Sequence, residues 1–456
     1  MEDTSLRQYI ELYRSQHQTL DAASPEAIRR LRPAALSALE ATGRLPRKGD
    51  EGYERTSLED VFAPDLGVNL QRMCFEADLA DTFRCDVPKV STMLGLIIND
   101  IYRPTASLLN QLPQGVTLCS FSEAAEKCPQ VLQQYLGSLA DMDSDAATAL
   151  NTLLLQDGIL LHVAKGVKLE KPLQIVAIFN APLPMLALRR ILIVMEADSE
   201  ARVLLCDHSR DTGFQYVNSQ VVEAVLAEGA ALDVYEIEEA NGLTSRVSRF
   251  YGKQQSRSRL TVNGTTLSGG VTRNDYIIDV DGDRCETRLA GMVTAIGKQK
   301  TDNSTLLRHH GQHCHSEQLF KYVLSDDATG AFEGLIVVDE GAVKTEAYQS
   351  NRNLLAATGA RMHTRPQLLI YCDDVKCSHG ATTGQLDERA MFYMRSRGIP
   401  MAEARMMLMQ AFMADVIDTI SLEGLRERLR HLVERRLYGS DAICGDCNLK
   451  FNIKNG

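Results

Sequence analysis

The fold is decided by residues 257–294, RSRLTVNGTTLSGGVTRNDYIIDVDGDRCETRLAGMVT. Short apolar or alternating runs at residues 257–262, 276–280 and 288–294 are separated by turns rich in Asn, Gly and Asp. Runs of this length between turn residues are typical of β-strands rather than helices. Residues 258–268 alternate polar and apolar side chains, and that spacing suits half-turns of a β-coil. The pattern alone therefore predicts a β-domain but leaves a sandwich, a barrel and a β-solenoid open.

The same pattern extends on both sides of this stretch and defines a β zone over residues 157–385. Its further runs are short, are punctuated by Gly, Asn and Asp, and have almost no helical pattern between them. These runs are residues 158–163, 173–178, 191–195, 202–205, 231–236, 319–324, 335–338 and 368–371.

Helical patterns flank the β zone on both sides. The first zone, residues 1–156, looks mostly helical and predicts helices over residues 91–102, 122–135 and 144–156. The third zone, residues 386–456, combines a Met- and Ala-rich helix with an Arg- and Glu-rich helix. We therefore expect a mainly β protein with helical domains before and after the β zone.

An apolar stripe runs along the last of these helices, with spacings of three and four residues that place its members on one face. Such a face either docks a partner protein or packs onto the chain's own β zone, and composition alone favours self-packing. The stripe consists of Leu422, Leu425, Leu429, Leu432 and Val433.

Composition excludes several classes of protein. The 456 residues carry a formal net charge of -11, which argues against binding nucleic acid by neutralising phosphates. Eleven scattered cysteines argue against a secreted disulfide framework and for a reducing compartment. The first residues lack the profile of a signal peptide, and no apolar run is long enough to span a bilayer. We expect a cytoplasmic protein.

The nearest match to a phosphate-binding loop runs from Gly291 to Gly297 and Lys298. It has five intervening residues instead of four, and Gln299 stands where a Ser or Thr should hold magnesium. We therefore expect this chain to bind no nucleotide.

A histidine-rich segment at residues 309–315 is the first candidate for metal binding. On a strand, His313 and His315 would face one side and Cys314 the other. Imidazoles two residues apart form metal pairs in cupin-type sites, so a cupin-like metalloenzyme using His309, His313 and His315 is one functional hypothesis. A polar strand edge that binds nothing is the other interpretation.

Cys377 and His379 form a tighter pair, because an extended chain places both side chains on one face. A thiolate and an imidazole suit zinc or iron–sulfur centres. Two ligands cannot complete a four-ligand site, so further ligands would have to come from elsewhere, including another subunit. An ordinary buried Cys and His is the alternative. A second thiol pair, Cys444 and Cys447, is half a zinc site without a partner pair.

The sequence around Cys377 resembles the SufB/SufD family, the scaffold proteins of the Suf iron–sulfur cluster assembly machinery. The resemblance is most specific over about residues 300–400. The matching positions are Asp373-Asp374-Val375-Lys376-Cys377-Ser378-His379-Gly380-Ala381-Thr382, Gly384, Leu386-Asp387-Glu388, Phe392-Tyr393, Arg395-Ser396-Arg397-Gly398-Ile399, Phe332, Gly334-Leu335-Ile336, Lys344-Thr345, Gln349, Asn351, Asn353-Leu354-Leu355 and Pro366, with Leu45-Pro46-Arg47-Lys48, Tyr53 and Thr56 near the start. His309, Cys314, Ser316 and Gln318 look like the SufD branch and argue against the SufB branch.

The resemblance implies a right-handed parallel β-helix between two helical domains, which favours the solenoid among the three β architectures. It implies a non-catalytic scaffold that pairs with a SufB-like subunit, or with itself in isolation, and docks a SufC-like ABC ATPase through its C-terminal helices. A transient iron–sulfur cluster would be shared with the partner. His379 is the implied ligand, Cys377 a second one, and His309 and Cys314 are weaker candidates.

Overall fold

The computed structural model describes residues 5–74 and 92–438, where the chain forms a parallel β-helix with helices at both flanks. The strands are β1 (Gly67–Val68), β2 (Met93–Ile98), β3 (Ile101–Pro104), β4 (Val116–Ser120), β5 (Ile159–Val163), β6 (Leu173–Phe179), β7 (Met185–Met195), β8 (Glu200–Ser209), β9 (Tyr216–Leu226), β10 (Ala231–Glu239), β11 (Thr244–Gln254), β12 (Arg259–Ser268), β13 (Val271–Val280), β14 (Glu286–Ala295), β15 (Lys300–His309), β16 (His315–Leu324), β17 (Thr329–Val338), β18 (Glu346–Leu355), β19 (Arg361–Ile370) and β20 (Lys376–Gly384).

The described helices form an N-terminal and a C-terminal group, and four of the eight in the N-terminal group have a side-chain cap at the N-terminus. They are α1 (Ser5–Ala22), α2 (Glu26–Arg29), α3 (Arg32–Thr42), α4 (Leu58–Phe62), α5 (Ala106–Gln111), α6 (Phe121–Lys127), α7 (Pro129–Tyr135), α8 (Ala146–Leu154), α9 (Glu388–Ser396), α10 (Met401–Ile417) and α11 (Glu423–Tyr438). None of the helices in the described ranges combines the length and the apolar character that crossing a bilayer requires.

Strands alternate along the chain between two ten-stranded sheets, so each turn of the coil adds one strand to each sheet. The first sheet runs β19-β17-β15-β13-β11-β9-β7-β5-β4, with β1 paired to β7, and the second runs β20-β18-β16-β14-β12-β10-β8-β6-β2-β3. Only β2 with β3 and β4 with β5 are antiparallel among these pairs. The result is a solenoid of about eight turns, which confirms the predicted fold class.

One corner of the coil repeats from turn to turn. A residue with positive φ precedes six successive strands of the second sheet, β8 to β18, by two positions, and its amide donates to a carbonyl of the next turn. Arg257, Arg284, His313 and Lys344 hold this left-handed conformation without being glycine. The inter-turn hydrogen bonds, from 2.7 to 2.9 Å for these four, hold the corner in a conformation that L-residues rarely adopt. No fixed residue type marks the corner, so the repeat is invisible in the sequence.

Each outer face of the coil is covered by one group of helices. The N-terminal helices pack on the first sheet through side chains such as Leu192 and Val217, and the C-terminal helices pack on the second through Leu204 and Ile237. A separate apolar core fills the interior of the coil. The helices therefore cover the early and middle turns, whereas the last turn, β19 with β20, has no buried residue in either strand.

The predicted helix over residues 91–102 is wrong, because this segment is the hairpin β2–β3. Asn99, with φ of 58°, and Asp100 form its two-residue turn, which needs the left-handed conformation that Asn tolerates. Buried and half-buried residues alternate along β2, which pairs in parallel with β6. The first zone is therefore only partly helical, and part of it extends the coil. The predicted helices near residues 122–135 and 144–156 are present as α6 with α7 and as α8.

Candidate functional site

The last turn of the coil forms an open end. β19 pairs only with β17, and β20 only with β18, so each leaves one row of backbone groups without a strand partner in the described chain. Leu369, Ile370 and Tyr371 at the end of β19 are 45%, 43% and 59% exposed. Unpaired strand edges next to exposed apolar side chains are the features that pair with another chain.

Cys377 and His379 lie at this open end, on the face of β20 that continues the interior of the coil. Cys377 is aligned with Ala347 and His379 with Gln349, and both of these β18 residues are buried. Cys377 is half-buried, and His379 is exposed. Burial raises the pKa of the Cys377 thiol, so the thiol is protonated until a metal or a cation replaces its proton.

A column of hydrogen-bonded side chains runs through the coil interior and ends at Gln349, the residue in register with His379. Gln349 Nε2 donates to Gln318 Oε1 at 3.1 Å, and Thr305 Oγ1 donates to the same oxygen at 2.8 Å. A Cβ at Gly334 would lie 2.3 Å from Gln349 Nε2, so glycine at this position leaves room for the amide. The column fixes the side chain of Gln349 next to the strand that carries His379.

A polar groove of about 660 Å³ lies beside His379, between α10 and the outer face of β16, β18 and β20. Arg288 and Arg352 line it together with Glu317, Asp415 and Asp418. The mixed charges give the groove no strong preference for anions or cations.

His309 lies inside the coil, away from this end. It is fully buried, and its Nε2 lies 2.9 Å from the Ser316 hydroxyl. Burial lowers the pKa of His309 to about 4, with smaller contributions from the charges of His310 and His315. His309 is therefore a neutral core histidine at physiological pH.

Cys314 is also buried, and it lies next to a second thiol. Its Sγ and that of Cys285, in the preceding turn, both lie 3.2 Å from the Gly282 carbonyl oxygen. The hydrogen bond between the two thiols, together with burial, raises the pKa of Cys314. Cys314 is thus a packed corner thiol rather than part of the open end.

The predicted histidine metal set does not assemble. His309 is buried, whereas His313 and His315 are exposed, and His313 lies in the left-handed corner rather than on a strand. The expectation that His313 and His315 share one strand face is therefore wrong. Over residues 5–74 and 92–438, no three His, Cys, Asp or Glu side chains are grouped so as to hold a metal ion. The pair Cys444 and Cys447 lies outside the described residues.

The apolar stripe on α11 faces the chain's own coil. Leu422, Leu425, Leu429, Leu432 and Val433 are 0–8% exposed, and they pack with Tyr235, Ile237 and Leu267 on the second sheet. The prediction that this stripe docks a partner ATPase is wrong for this conformation, because its side chains are buried against the chain's own second sheet. Self-packing, the other interpretation of the stripe, is what the structure shows.

An exposed apolar surface lies instead on the two preceding helices. No residue of α9 is buried, and Phe392 and Tyr393 are 76% and 59% exposed. Met401 and Met407 on α10 are also largely exposed. The sequence analysis named Phe392 and Tyr393 only as positions that match the family pattern. Two adjacent aromatic residues on a short helix with few other apolar residues were the signal that could have indicated an exposed apolar surface.

Comparison with known proteins identifies the family. The core domain of the SufBD proteins of the SUF system for FeS cluster assembly matches residues 178–412. The N-terminal region of SufBD proteins matches residues 3–175. These two matches cover the helical first zone, the coil and much of α10.

Curated relatives agree with the family match. An iron-sulfur cluster assembly SufBD family protein of Synechocystis is 28% identical over 401 residues, which is 86% of this chain and 88% of the relative. The iron-sulfur cluster assembly protein SufD of Bacillus subtilis is 25% identical over 94% of this chain and 98% of its own length. SufD of Escherichia coli is 38% identical over 173 residues, 38% of this chain and 41% of the relative. The chain therefore belongs to the SufB/SufD family and has a role in iron–sulfur cluster assembly.

Proposed function

We propose that this chain is a SufD-type scaffold subunit, without catalytic activity of its own, that builds a shared iron–sulfur cluster together with a SufB-like partner. The observation that carries the proposal is the open last turn of the coil, which presents a half-buried thiol and an exposed imidazole beside two unpaired strand edges. A site with two ligands at an interface is chemically complete only when the partner adds the others.

The strand edges of β19 and β20 are the proposed contact with the SufB-like subunit. A partner's strand that adds to such an edge gains main-chain hydrogen bonds, and exposed side chains such as Leu369 and Tyr371 add apolar contacts. Pro366 lies in β19 and lacks a backbone donor, so pairing at that point is interrupted. In the absence of the SufB-like partner, the same edges would pair two copies of this chain in a homodimer.

His379 and Cys377 are the proposed cluster ligands from this chain. His379 is exposed and held above Gln349, so it can reach an iron atom bound between the subunits. His309 and Cys314, the weaker candidates, are 0% and 1% exposed and face the sealed interior. We therefore assign the cluster, which is the cargo of the assembly reaction, to the open end alone.

The SufC-like ATPase is proposed to dock on the exposed side of α9 and α10, through Phe392, Tyr393 and neighbouring methionines. α10 is fastened to the coil, because Lys321 Nζ on β16 donates to the Phe412 carbonyl at 2.7 Å and lies 2.5 Å from Asp415 Oδ2. β16 is separated from β20 by β18 only. A displacement of α10 on ATP binding would therefore be transmitted to the open end and would favour one interface state over another. ATP itself would bind to the ATPase, in the cytoplasm.

The test is His379→Ala in the complex co-expressed with both partners. We expect the complex to assemble, with cluster content per complex lowered by about tenfold or more, since the loss of even an outer partner of a ligand costs that much affinity. His315→Ala is the matched control, because His315 is exposed but lies on β16, away from the open end. Unchanged cluster content in His379→Ala would remove the ligand role.

The alternative function, a cupin-like metalloenzyme, has no observation in its favour. Its histidines lie on different sides of the coil wall, as described above. A divalent metal bound by the isolated chain and lost in His313→Ala would revive it.

A further inference from the structure

A second thiol, Cys372, lies at the mouth of the last turn beside the proposed cluster ligands. It follows β19 and is 7% exposed. Cys372 and Cys377 belong to the same small apolar cluster, which also contains Ile336, Val338 and Leu368. The proposed function uses Cys377 and leaves Cys372 without a role.

The backbone on both sides of the turn between the two cysteines is fixed by the preceding turn of the coil. The Tyr371 amide donates to the Val338 carbonyl at 2.8 Å, and the Lys376 amide donates to the Thr345 carbonyl at 2.9 Å. The Asp374 carbonyl accepts from the Lys344 amide at 2.7 Å. These bonds fix the backbone that carries the two cysteines.

The two thiols share one packing environment. Cys372 is buried in the apolar cluster at the end of the coil, and half-buried Cys377 packs against the same cluster. One metal ion that binds both thiols takes the place of both protons.

We propose that Cys372 and Cys377 act as a dithiol that binds one thiophilic divalent metal ion, with His379 as a third ligand and the partner subunit completing the site. Binding is M²⁺ + 2 RSH → M(SR)₂ + 2 H⁺, so two protons leave and no electron is transferred. The proposal rests on the proposed function for its partner and its iron, but the dithiol belongs to this chain alone. It makes the chain a donor of two thiolates rather than one.

The isolated chain provides an incomplete site, and this sets the expected behaviour. Among the described residues, no three metal-binding side chains are already grouped, so His379 must move to join the thiols. Exposed His379 has room to do so, whereas the cysteines are held by the backbone bonds above. We therefore expect binding without the partner, but weaker than at a closed four-ligand site.

The experiment is a Co²⁺ titration of the full chain, monitored by thiolate-to-cobalt charge-transfer absorption. Every sample carries Cys444→Ser and Cys447→Ser, because that pair is a second candidate for thiolate binding. We expect Cys372→Ser and Cys377→Ser each to weaken Co²⁺ binding by about tenfold or more. Cys128→Ser is the matched control, since it removes a half-buried thiol far from the open end and should leave the absorption unchanged.

Absorption that persists at full strength in Cys372→Ser would overturn the proposal, even if Cys377→Ser abolishes it. Thermal unfolding of each variant shows whether a loss comes from misfolding. If Cys372→Ser fails to fold, the chain with both cysteines intact is treated with phenylarsine oxide instead. This reagent joins two adjacent thiols with release of one water. Peptide mapping must then find residues 372 and 377 in the same adduct. An adduct elsewhere only would also overturn the proposal. Failure of the proposed function gives a different result: the His379→Ala complex keeps its cluster content, while Co²⁺ binding by the isolated chain is intact.

Discussion

β7 and β20 are strands of the same coil with opposite surroundings. All eleven residues of β7, MLALRRILIVM, are buried, whereas none of the nine residues of β20, KCSHGATTG, is. Both strands have parallel neighbours, but β7 is paired on both sides, with β5 and β9, whereas β20 is paired only with β18. A parallel strand covered on both faces reads as a nearly continuous apolar run, and β7 is covered by helices and by core. The small and polar residues of β20 match its exposed position at the open end of the coil.

The largest expected difference between the two strands appears when a carboxylate is placed in each of them. Leu192→Asp in β7 should lower the free energy of unfolding by about 4 kcal/mol or more, because it buries an unpaired charge. Thr382→Asp in β20 should change it by no more than about 0.5 kcal/mol. Urea unfolding of the isolated chain measures both. Equal losses would mean that the last turn is not open in solution.

The C-terminal helices offer the same contrast, between Leu429 inside and Phe392 outside. Leu429 is 1% exposed, so Leu429→Asp should cost about 3 kcal/mol or more and loosen the helices from the coil. Phe392→Asp should leave stability within about 0.5 kcal/mol but weaken binding of the SufC-like ATPase by about tenfold or more.

Co-purification and thermal unfolding of both variants separate the two effects. Leu408→Asp on α10, a half-exposed position, is the control for a new charge near the docking surface. Normal ATPase binding by Phe392→Asp would place the docking surface elsewhere.

His309, inside the coil and away from the open end, allows a pH-dependent test of the buried interior. Its folded pKa, about 4, lies below the ordinary value of 6.5, so the unfolded chain binds the extra proton between these values. Stability from neutral His309 is therefore complete above pH 6.5 and is lost as pH falls toward 4, by about 3 kcal/mol in total.

The measurement is the pH dependence of unfolding for the wild type and for His309→Gln, which does not titrate. The difference between the two should be constant above pH 7 and should shift in favour of the variant below pH 6. A difference that stays constant down to pH 5 would show that His309 gains solvent or a counter-ion.

The smallest expected effect compares two lysine ion pairs. Lys321 is 3% exposed and bonded to α10, so Lys321→Met should cost about 1–3 kcal/mol by leaving its acceptors unpaired. Lys376 in β20 pairs with Glu346 at 2.8 Å but is 74% exposed, so Lys376→Met should leave the free energy of unfolding nearly unchanged. Denaturant unfolding of each variant gives the comparison, and a cost for Lys376→Met equal to that of Lys321→Met would contradict it.

Local sequence signals explain most of the correct predictions and one of the errors. Turn residues and run lengths located eleven strands of the β zone but not β9, β11, β15, β18 or β20, and Asp387 and Pro400 marked the starts of α9 and α10. The run predicted at residues 191–195 is longer in the structure, where β7 begins at Met185. The added part contains two buried arginines, Arg189 paired with Asp207 at 2.6 Å and Arg190 paired with Glu223 at 2.8 Å.

The sequence by itself determined the β zone, its helical flanks, the family, and Cys377 with His379 as the pair to examine, because strand length, turn chemistry and motif spacing are local properties. Only the tertiary structure decided that the α11 stripe is covered, that His309 and Cys314 are core residues, and that Cys372 lies beside Cys377. Each of these depends on which turn of the coil or which helix lies opposite a residue. Such neighbours are set by packing between segments far apart in the chain, and no local pattern records them.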